Sequence, residues 1–476
     1  MIFTTEKDAP LTKELIEEAI QWNEDSRTFY DELEDYYLGK HEVLTRSKPL
    51  TAKNSRVVIN HAKYITDTNV GYMLGKPVDY SSNNHDLDPV KEQYREQNIS
   101  SIDREIAKKT SEFGRQYELV YNDNNKVRSK DIDVRNCVII YDDTVQHNEM
   151  YAILYEKGYE RKIINKQIQR QHTQEAYKSI TVYDNIGYKN CLKNGVVYIP
   201  EEYDAEHAFG LVPVIEYRNN SEYQGDYVGV ISLINAYNLL QSDRVNDKEQ
   251  LVDAILTLTG IEGFTPEQKD LLRQERVMSL PEGATAEYLL KNLDEVKVDV
   301  LRQTLKEDIH KISMTPDLTD EKFASNSSGV ALRFKLLHFE WNVGNKIMEF
   351  RKGLQKRFTL YNNYLISLNQ SSEIPAHDVE ITFTKNLPQN DYEVSQMINN
   401  LRGMVKDATL LEQLSYIEDA ESEVEAKQQE DIEKFNMESP QYGTQEAGLG
   451  VFEDQVENEV EEKSRTLLDK LSDIMK

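Results

Sequence analysis

Apolar residues recur at helical spacing toward both ends of the chain and alternate with polar ones in its middle, a pattern that predicts a mixed α+β protein. Residues 11–38 read as helix, with Leu15, Ile16, Ala19 and Ile20 on one face. A second helical run, Val57 to Val78, carries its stop signals at Gly75 and Pro77. Between residues 117 and 217 the pattern changes. YELVYND, NCVIIYDD, MYAILYEKGY, SITVYDN and VPVIEYRN are short β-branched and tyrosine-rich runs separated by Asn, Asp and Gly, which predicts an antiparallel sheet of hairpins. The 28 tyrosines suit half-buried strand faces.

From Asp226 the helical period returns. Ile231, Ile234, Tyr237, Gln241, Val245, Val252, Ile255 and Leu258 fall near one stripe, closed by Gly260, and predict a helix of roughly 45 Å at 1.5 Å per residue. A compact insert with Gly263, Pro266, Pro281 and Gly283 follows over 261–295, and then a second helix with Val298, Leu301, Leu305, Ile309 and Ile312, stopped by Pro316. Two helices around a small module make a hairpin with a tip domain. A polar patch, Ala324 to Gly329, precedes a third long helix from about Val330 to Leu368, in which Gly344 and Gly353 are candidate bends. HDVEITFTKNLP reads as one more strand, a helical block runs from Asp391 to Phe435, and the end from Asn436 is polar and acidic, closing on the amphipathic LLDKLSDIMK.

Composition narrows the functional classes. The chain has 476 residues, enough for two to four domains, with 56 Lys and Arg against 84 Asp and Glu, a formal charge of −28. That balance argues against ordinary gripping of nucleic acid through a basic face. Cys137 and Cys191 are far apart and lack partners at metal spacing, which fits a reducing compartment. The N-terminal segment has no apolar core of signal-peptide type, and no run reaches the roughly 20 apolar residues that span a bilayer, so the expectation is synthesis in a cytoplasm and no membrane.

Candidate chemistry is sparse. Tyr141–Asp142–Asp143 resembles the carboxylate hairpin of polymerase palms, which would make a Mg²⁺-dependent nucleotidyl-transfer enzyme the leading rival; a strand ending in an Asp turn explains the same residues, and no partner aspartate or template groove accompanies them. His310 and His338 lack a Glu or His at metal spacing and read as solvent or core histidines, and no phosphate-binding Gly-Lys loop occurs. No catalytic residue, metal site or cofactor is expected. Arg333, Lys335, Lys346, Arg351, Lys352, Lys356 and Arg357 form a basic concentration in an acidic protein. They read as a solvated face or as ion pairs with an acidic neighbour, except that Arg333 and Lys335, beside the polar patch, are placed to graze phosphate. The acidic helices also permit a coiled-coil scaffold without a channel.

Five stretches, in order, resemble the portal proteins of tailed bacteriophages, in particular the SPP1-type portal family. They are YYLGKHEVLTR with NSRVVINHAKYITDTNVGYMLGKPVDY; VIIYDDTVQHNEMYAILYE; LLQSDRVNDKEQLVDAILTLTG; PDLTDEKFASNSSGVALRFKL; and LRGMVKDATLLEQLSYIEDAESEVE. The resemblance implies an α+β portal fold: a wing over 1–225, a first stem helix over 226–260, a clip over 261–295, a second stem helix over 296–315, a tunnel-loop region over 316–330, a kinked tunnel helix and return to the wing over 331–385, a crown over 386–435 and an acidic tail over 436–476. It implies a ring, usually of twelve subunits, at one capsid vertex of the virion, assembled in the host bacterial cytoplasm, and double-stranded DNA passing through the channel during packaging and ejection. Ser325, Asn326, Ser327, Ser328 and Gly329, with Lys322, Arg333 and Lys335, would then line the channel. Glu267, Lys269, Asp270 and Arg273 of the clip would meet the terminase large subunit and later the head-completion adaptor. Major capsid and scaffolding proteins are the other implied partners.

Overall fold

The computed structural model describes residues 2–49, 53–164, 167–252, 255–259, 283–289, 295–319, 329–385 and 391–411, with scattered positions from 414 to 430. The chain divides into two compact units, Met1–Pro388 and Gln389–Lys476.

The first unit opens on strand β1 (Phe3–Thr5) and helices α1 (Lys13–Asp25) and α2 (Arg27–Tyr37). The helix expected over 11–38 is therefore two helices. Thr12 caps the first, its hydroxyl accepting the Leu15 N–H at 3.1 Å, and Ser26 separates the pair. The run expected over 57–78 is α3 (His61–Met73), capped by Asn60, whose side-chain oxygen accepts the Lys63 N–H at 2.9 Å. β2 (Asp79–Ser81), α4 (Asp88–Glu96) and α5 (Ile99–Phe113) follow. At Gly114, φ is +84° and a Cβ would stand 2.1 Å from the Tyr223 carbonyl oxygen, so only glycine lets α5 turn into the sheet there.

β3 (Arg115–Asp123) and β4 (Lys126–Ile132) form a hairpin. β5 (Cys137–Asp142), β6 (Glu149–Ile164), β7 (Gln167–Tyr183), β8 (Gly187–Asn190) and β9 (Ala205–Glu206) continue the chain, and β10 (Val214–Arg218) returns to pair with β3. The result is a six-stranded sheet in the order β1-β5-β6-β7-β8-β9 beside a three-stranded sheet, β10-β3-β4. The pairings are antiparallel apart from β1, which lies parallel to β5 with Phe3 opposite Ile140.

α6 (Ile231–Val252) starts after a 3-10 turn at Val228–Val230. It ends earlier than the expected Gly260. Residues Ile255–Thr259 form β11 instead, antiparallel to β12 (Thr285–Leu289), with Ile255 opposite Leu289. The sequence there, Ile-Leu-Thr-Leu-Thr, is β-branched at every second position, which favours a strand over continued helix. α7 (Glu295–Ile312) runs back along α6: Lys248 pairs with Glu295, and Arg244 with Asp299 at 3.5 Å, an inverse order that makes the two helices antiparallel. α8 (Gly329–Ser367) is a single helix of 39 residues, roughly 58 Å long. It continues through Gly344 and Gly353. The second of these serves packing, since a Cβ would meet the Tyr217 ring at 2.4 Å. β13 (Glu380–Thr382) closes the unit by pairing with β2. The second unit contains α9 (Asp391–Leu401) and α10 (Asp407–Leu411).

Three apolar clusters hold the first unit. Ile16, Ala19 and Ile20 of α1 cover Val138, Ile140 and Ile153 of the large sheet. Tyr227, Ile234, Tyr237 and Ile309 seat the bases of α6 and α7 against α2, α3 and the strands. Phe350, Leu354, Phe358 and Tyr361 of α8 pack against α4, α5 and β10.

Candidate functional site

The polar patch lies between α7 and α8. Lys322, Ser325, Asn326, Ser327 and Ser328 fall outside the described residues, and so do Glu267, Lys269, Asp270 and Arg273. Gly329 is the first residue of α8, Arg333 lies in that helix's opening turns, and Lys335 is exposed one residue before the buried Leu336. What the described residues define is the frame that holds both ends of the patch.

The frame begins where α7 stops. The Thr315 N–H bonds back to the His310 carbonyl at 3.1 Å and the Met314 N–H to that of Lys311 at 3.3 Å, an ending that needs a left-handed residue between them. Met314 takes that conformation, φ +53°, where glycine is usual, at a cost of roughly 1–2 kcal/mol. The turn is held down by α3. The Tyr64 hydroxyl donates to the Pro316 carbonyl at 3.1 Å and accepts the Leu318 N–H at 2.9 Å. Asp317 pairs with Lys306 and accepts the Thr319 hydroxyl at 2.6 Å; burial alone would raise its carboxyl, but these partners outweigh it and hold the pKa at about 2.

One turn further along α3, Asn69 joins three elements. Its Nδ2 donates to the Thr315 hydroxyl at 3.0 Å and to the Ile65 carbonyl at 2.9 Å, while its Oδ1 accepts from Lys346 Nζ of α8 at 2.7 Å. Lys346 also pairs with Asp226, just ahead of α6, and Asp226 accepts from Ser111 Oγ at 2.5 Å and Asn219 Nδ2 at 2.7 Å. All of these polar groups are buried or nearly so, and burial pulls the Lys346 ammonium pKa down against the opposing pull of Asp226. The root of the patch, the long helix and the start of α6 thus meet at one fully hydrogen-bonded amide. Removing Tyr64's hydroxyl tests the outer part of this clasp. Tyr64→Phe is expected to lose two bonds worth about 1 kcal/mol each, so limited proteolysis near the loop root should quicken at least several-fold while the global unfolding free energy falls by no more than about 2 kcal/mol.

A cleft of about 560 Å³ opens beside the root, lined by Gln303, Lys306, His310, Pro316, Lys335 and Phe339. His310 is half-buried, its Nδ1 3.0 Å from the Thr315 carbonyl oxygen and its ring edge-on to the buried His61 and to Tyr64, each at 5.6 Å. Burial among these rings pulls the His61 imidazole to a pKa of about 4. His338 is exposed, edge-on to Trp341 at 5.3 Å. Large apolar side chains face solvent on both helices: Phe334 is 70% exposed and Trp341 59% on α8, and toward the opposite end of α7 from the cleft Val296 is 73% and Val300 61% exposed.

The basic concentration on α8 is a solvated face only in part: Lys335 and Lys352 are exposed, whereas three other cations turn inward. Arg357 is fully buried: its Nε donates to Glu118 at 2.8 and 3.0 Å and its Nη1 to Asp103 at 2.5 Å. Lys346 is buried as described, and Lys356 pairs with Glu149 and donates to the Val214 carbonyl at 2.6 Å. These cations fix α8 to the rest of its own unit. The Tyr-Asp-Asp segment has the geometry of an Asp turn. Asp142 accepts the Thr144 hydroxyl at 2.6 Å and, from Asn148, the backbone N–H and the side-chain amide at 2.8 Å each; the Thr144 bond leads in holding its carboxyl at about 2, with the Asn148 bonds adding to it against the opposing effect of desolvation. Asp143 accepts the Lys7 N–H at 3.2 Å. Among the described residues no group of three or more His, Cys, Asp or Glu side chains is arranged to hold a metal ion, and no helix is long and apolar enough to cross a membrane.

Tyr64 and Asn69 lie in the stretch NSRVVINHAKYITDTNVGYMLGKPVDY, where sequence alone gives neither a role. The available signal was Asn69 itself, a poor helix former four residues after Ile65 and four before Met73, on the face that packs inward.

Comparison with known proteins bears on what this frame belongs to. The family model described as phage portal protein, SPP1 Gp6-like, matches residues 17–436. The portal protein of Bacillus phage SPP1 is 21% identical over 401 residues, covering 81% of this chain and 78% of that protein. The portal protein of Clostridium phage phiCD119 is 22% identical over 416 residues, covering 81% of this chain and 89% of that protein. Among solved structures, the neck of an empty gene transfer agent particle computed with C6 symmetry matches at a TM-score of 0.42 and 9% identity, over 73% of this chain and 88% of that one. The native neck computed with C12 symmetry matches at 0.43 and 8%, with the same coverage. With the family model spanning nearly all of the helical and sheet framework described above, the chain belongs to the SPP1 Gp6-like family of phage portal proteins.

Proposed function

We propose that copies of this chain close into a ring, roughly twelve by family resemblance, at one capsid vertex, and that double-stranded DNA is packaged and ejected through the ring's central channel. In this assignment α6 and α7 are the stem, the residues between β11 and β12 the clip, α8 the tunnel helix, and residues 316–330 the loop that narrows the channel. Residues 1–225 form the wing, 386–435 the crown and 436–476 a tail. The clip, with Glu267, Lys269, Asp270 and Arg273, is the docking surface for the terminase large subunit and then for the head-completion adaptor, while capsid and scaffolding proteins surround the ring.

The observation that carries this reading is the uncovered apolar surface on the two helices flanking the loop: Val296 and Val300 on one, Phe334 and Trp341 on the other. Covering such side chains stabilises by about 1.5–3 kcal/mol each, and a second copy can cover them. Two such faces on different elements allow a head-to-tail contact, the type that closes into rings. The charge of −28 suits a channel wall: every phosphate held by Lys or Arg would have to be released at each step of sliding, and an acidic wall keeps the duplex centred.

The channel role of the loop is tested by Gly329→Val. The buried faces of α7 and α8 are untouched, so rings are expected to form, but a β-branched residue at the first position of α8 stiffens the entry to the helix. Proheads assembled with this variant should protect at least tenfold less full-length DNA from nuclease than wild type. Wild-type packaging would remove the loop from the mechanism.

A further inference from the structure

Residues 53–59 run along α6 and are held there by side chains, not by another strand. The Ile59 N–H donates to Asn238 Oδ1 at 2.9 Å, the Val57 N–H to Ser242 Oγ at 2.9 Å and the Ser55 N–H to Asn246 Oδ1 at 2.7 Å. All three acceptors are buried. Four residues of helix rise roughly 6 Å and two residues of strand roughly 6.6 Å, so a polar side chain at every fourth helix position meets every second N–H of an extended backbone.

That pattern settles where the other backbone groups point. Successive residues of an extended chain turn their N–H and carbonyl to opposite edges. α6 takes the edge of Ser55, Val57 and Ile59, which leaves Arg56 and Val58 on the other. Among the described residues neither the N–H nor the carbonyl of Arg56 or Val58 makes a hydrogen bond. A held strand with one open edge is a template for another strand. The charge around it is also distinctive. Residues 46–66 carry five Lys or Arg and no Asp or Glu, in a chain of net charge −28. Arg46 and Lys48 share the single carboxylate of Asp243, and exposed Arg56 gives its guanidinium to the uncharged Leu44 carbonyl at 2.8 Å, so positive charge is left over.

We propose that this edge binds an extended, acidic peptide segment of a partner protein by strand addition, with Arg56 facing a carboxylate across the new pair. Charge complementarity selects an acidic partner. The edge selects a peptide over nucleic acid: it alternates N–H donors with carbonyl acceptors, and a phosphate backbone has nothing to donate to the carbonyls. The inference stands apart from the ring and holds for a single copy of the chain.

The test uses the full-length protein and a fluorescein-labelled ten-residue peptide of alternating Glu and Val. Fluorescence anisotropy should show saturable binding, and binding at least tenfold weaker when every backbone nitrogen of the peptide is methylated, which keeps its charge. Val58→Pro removes an outward N–H and leaves the three bonds to α6; it should also weaken binding at least tenfold. Arg56→Gln keeps a donor for the Leu44 carbonyl and should weaken it at least threefold. Hydrogen exchange at single amides should find Ser55, Val57 and Ile59 protected from the start, and Arg56 and Val58 slowed once the peptide is added. If Val58→Pro fails to fold, the methylated peptide and the exchange pattern decide the same point. No saturable binding, or binding indifferent to methylation, would overturn the proposal. Arg56 and Val58 amides already slow in the purified protein would overturn it in favour of a second copy, and a 30-base-pair duplex that displaces the peptide and slows the same two amides would overturn it in favour of nucleic acid.

Discussion

Replacing Arg357 with Met is expected to cost about 3–5 kcal/mol, the largest single effect in the molecule. The guanidinium is fully buried and lies between two carboxylates that are equally hidden, Asp103 of α5 and Glu118 of β3, and Glu118 also accepts the Tyr217 hydroxyl at 2.6 Å. Met fills the volume but leaves both carboxylates without their cation. The pH dependence gives the result a signature. Burial already holds the Asp103 carboxyl above its ordinary value, with Arg357 opposing. Without Arg357 the folded-state value rises further, so the variant's folded form is favoured by protonation: its deficit against wild type should shrink as pH falls below about 5 and grow as pH rises toward 8. Denaturant unfolding of both proteins at the two pH values measures this. A deficit under 1 kcal/mol, or one independent of pH, would show that the ion triad does not anchor α8.

Asn69→Leu is expected to cost about 2–3 kcal/mol and to uncouple the loop root from the long helix. Leucine matches the amide in size, so packing is conserved; what is lost is the donor to Thr315 and the acceptor for Lys346. Lys346 keeps Asp226, and for that reason the fold should survive. Local behaviour separates this from a general loss of stability. Amide exchange at Thr315 and Leu318 should accelerate by more than the global destabilisation explains, while exchange in β3 and β5 follows the global value. In a double-mutant cycle with Thr315→Val the two changes should couple by about 1 kcal/mol. Additive effects would mean that Asn69 does not hold the loop root through Thr315.

How much of this was legible in the sequence follows from the length scale of each signal. Long periodic runs such as α6 to α8, and the tyrosine-rich hairpins of β5 to β7, show their period over enough residues to be read. β1 could not be seen, because three residues carry no alternation and its place depends on a parallel partner more than 130 positions away. The end of α6 was misplaced because Ile255 and Leu258 satisfy the helical stripe as well as the strand alternation, and only the partner strand at Thr285–Leu289 decides between them. The inward-turned cations of α8, Lys346, Lys356 and Arg357, are illegible for a related reason. A buried Lys or Arg is indistinguishable from a solvated one until its carboxylate partner is known, and Asp103, Glu118 and Asp226 all come from distant elements. The loop was recognisable by composition and by family resemblance, whereas the clasp that holds its root depends on Tyr64 and Asn69, some 250 residues earlier in the chain.

Whether copies of the chain close into a ring can be seen by negative-stain electron microscopy of the purified protein. The expected result is top views of a closed ring of roughly twelve subunits around a stain-filled hole, with side views showing a narrow stem below a broad wing. Monomers at micromolar concentration, or elongated particles without a central hole, would contradict it.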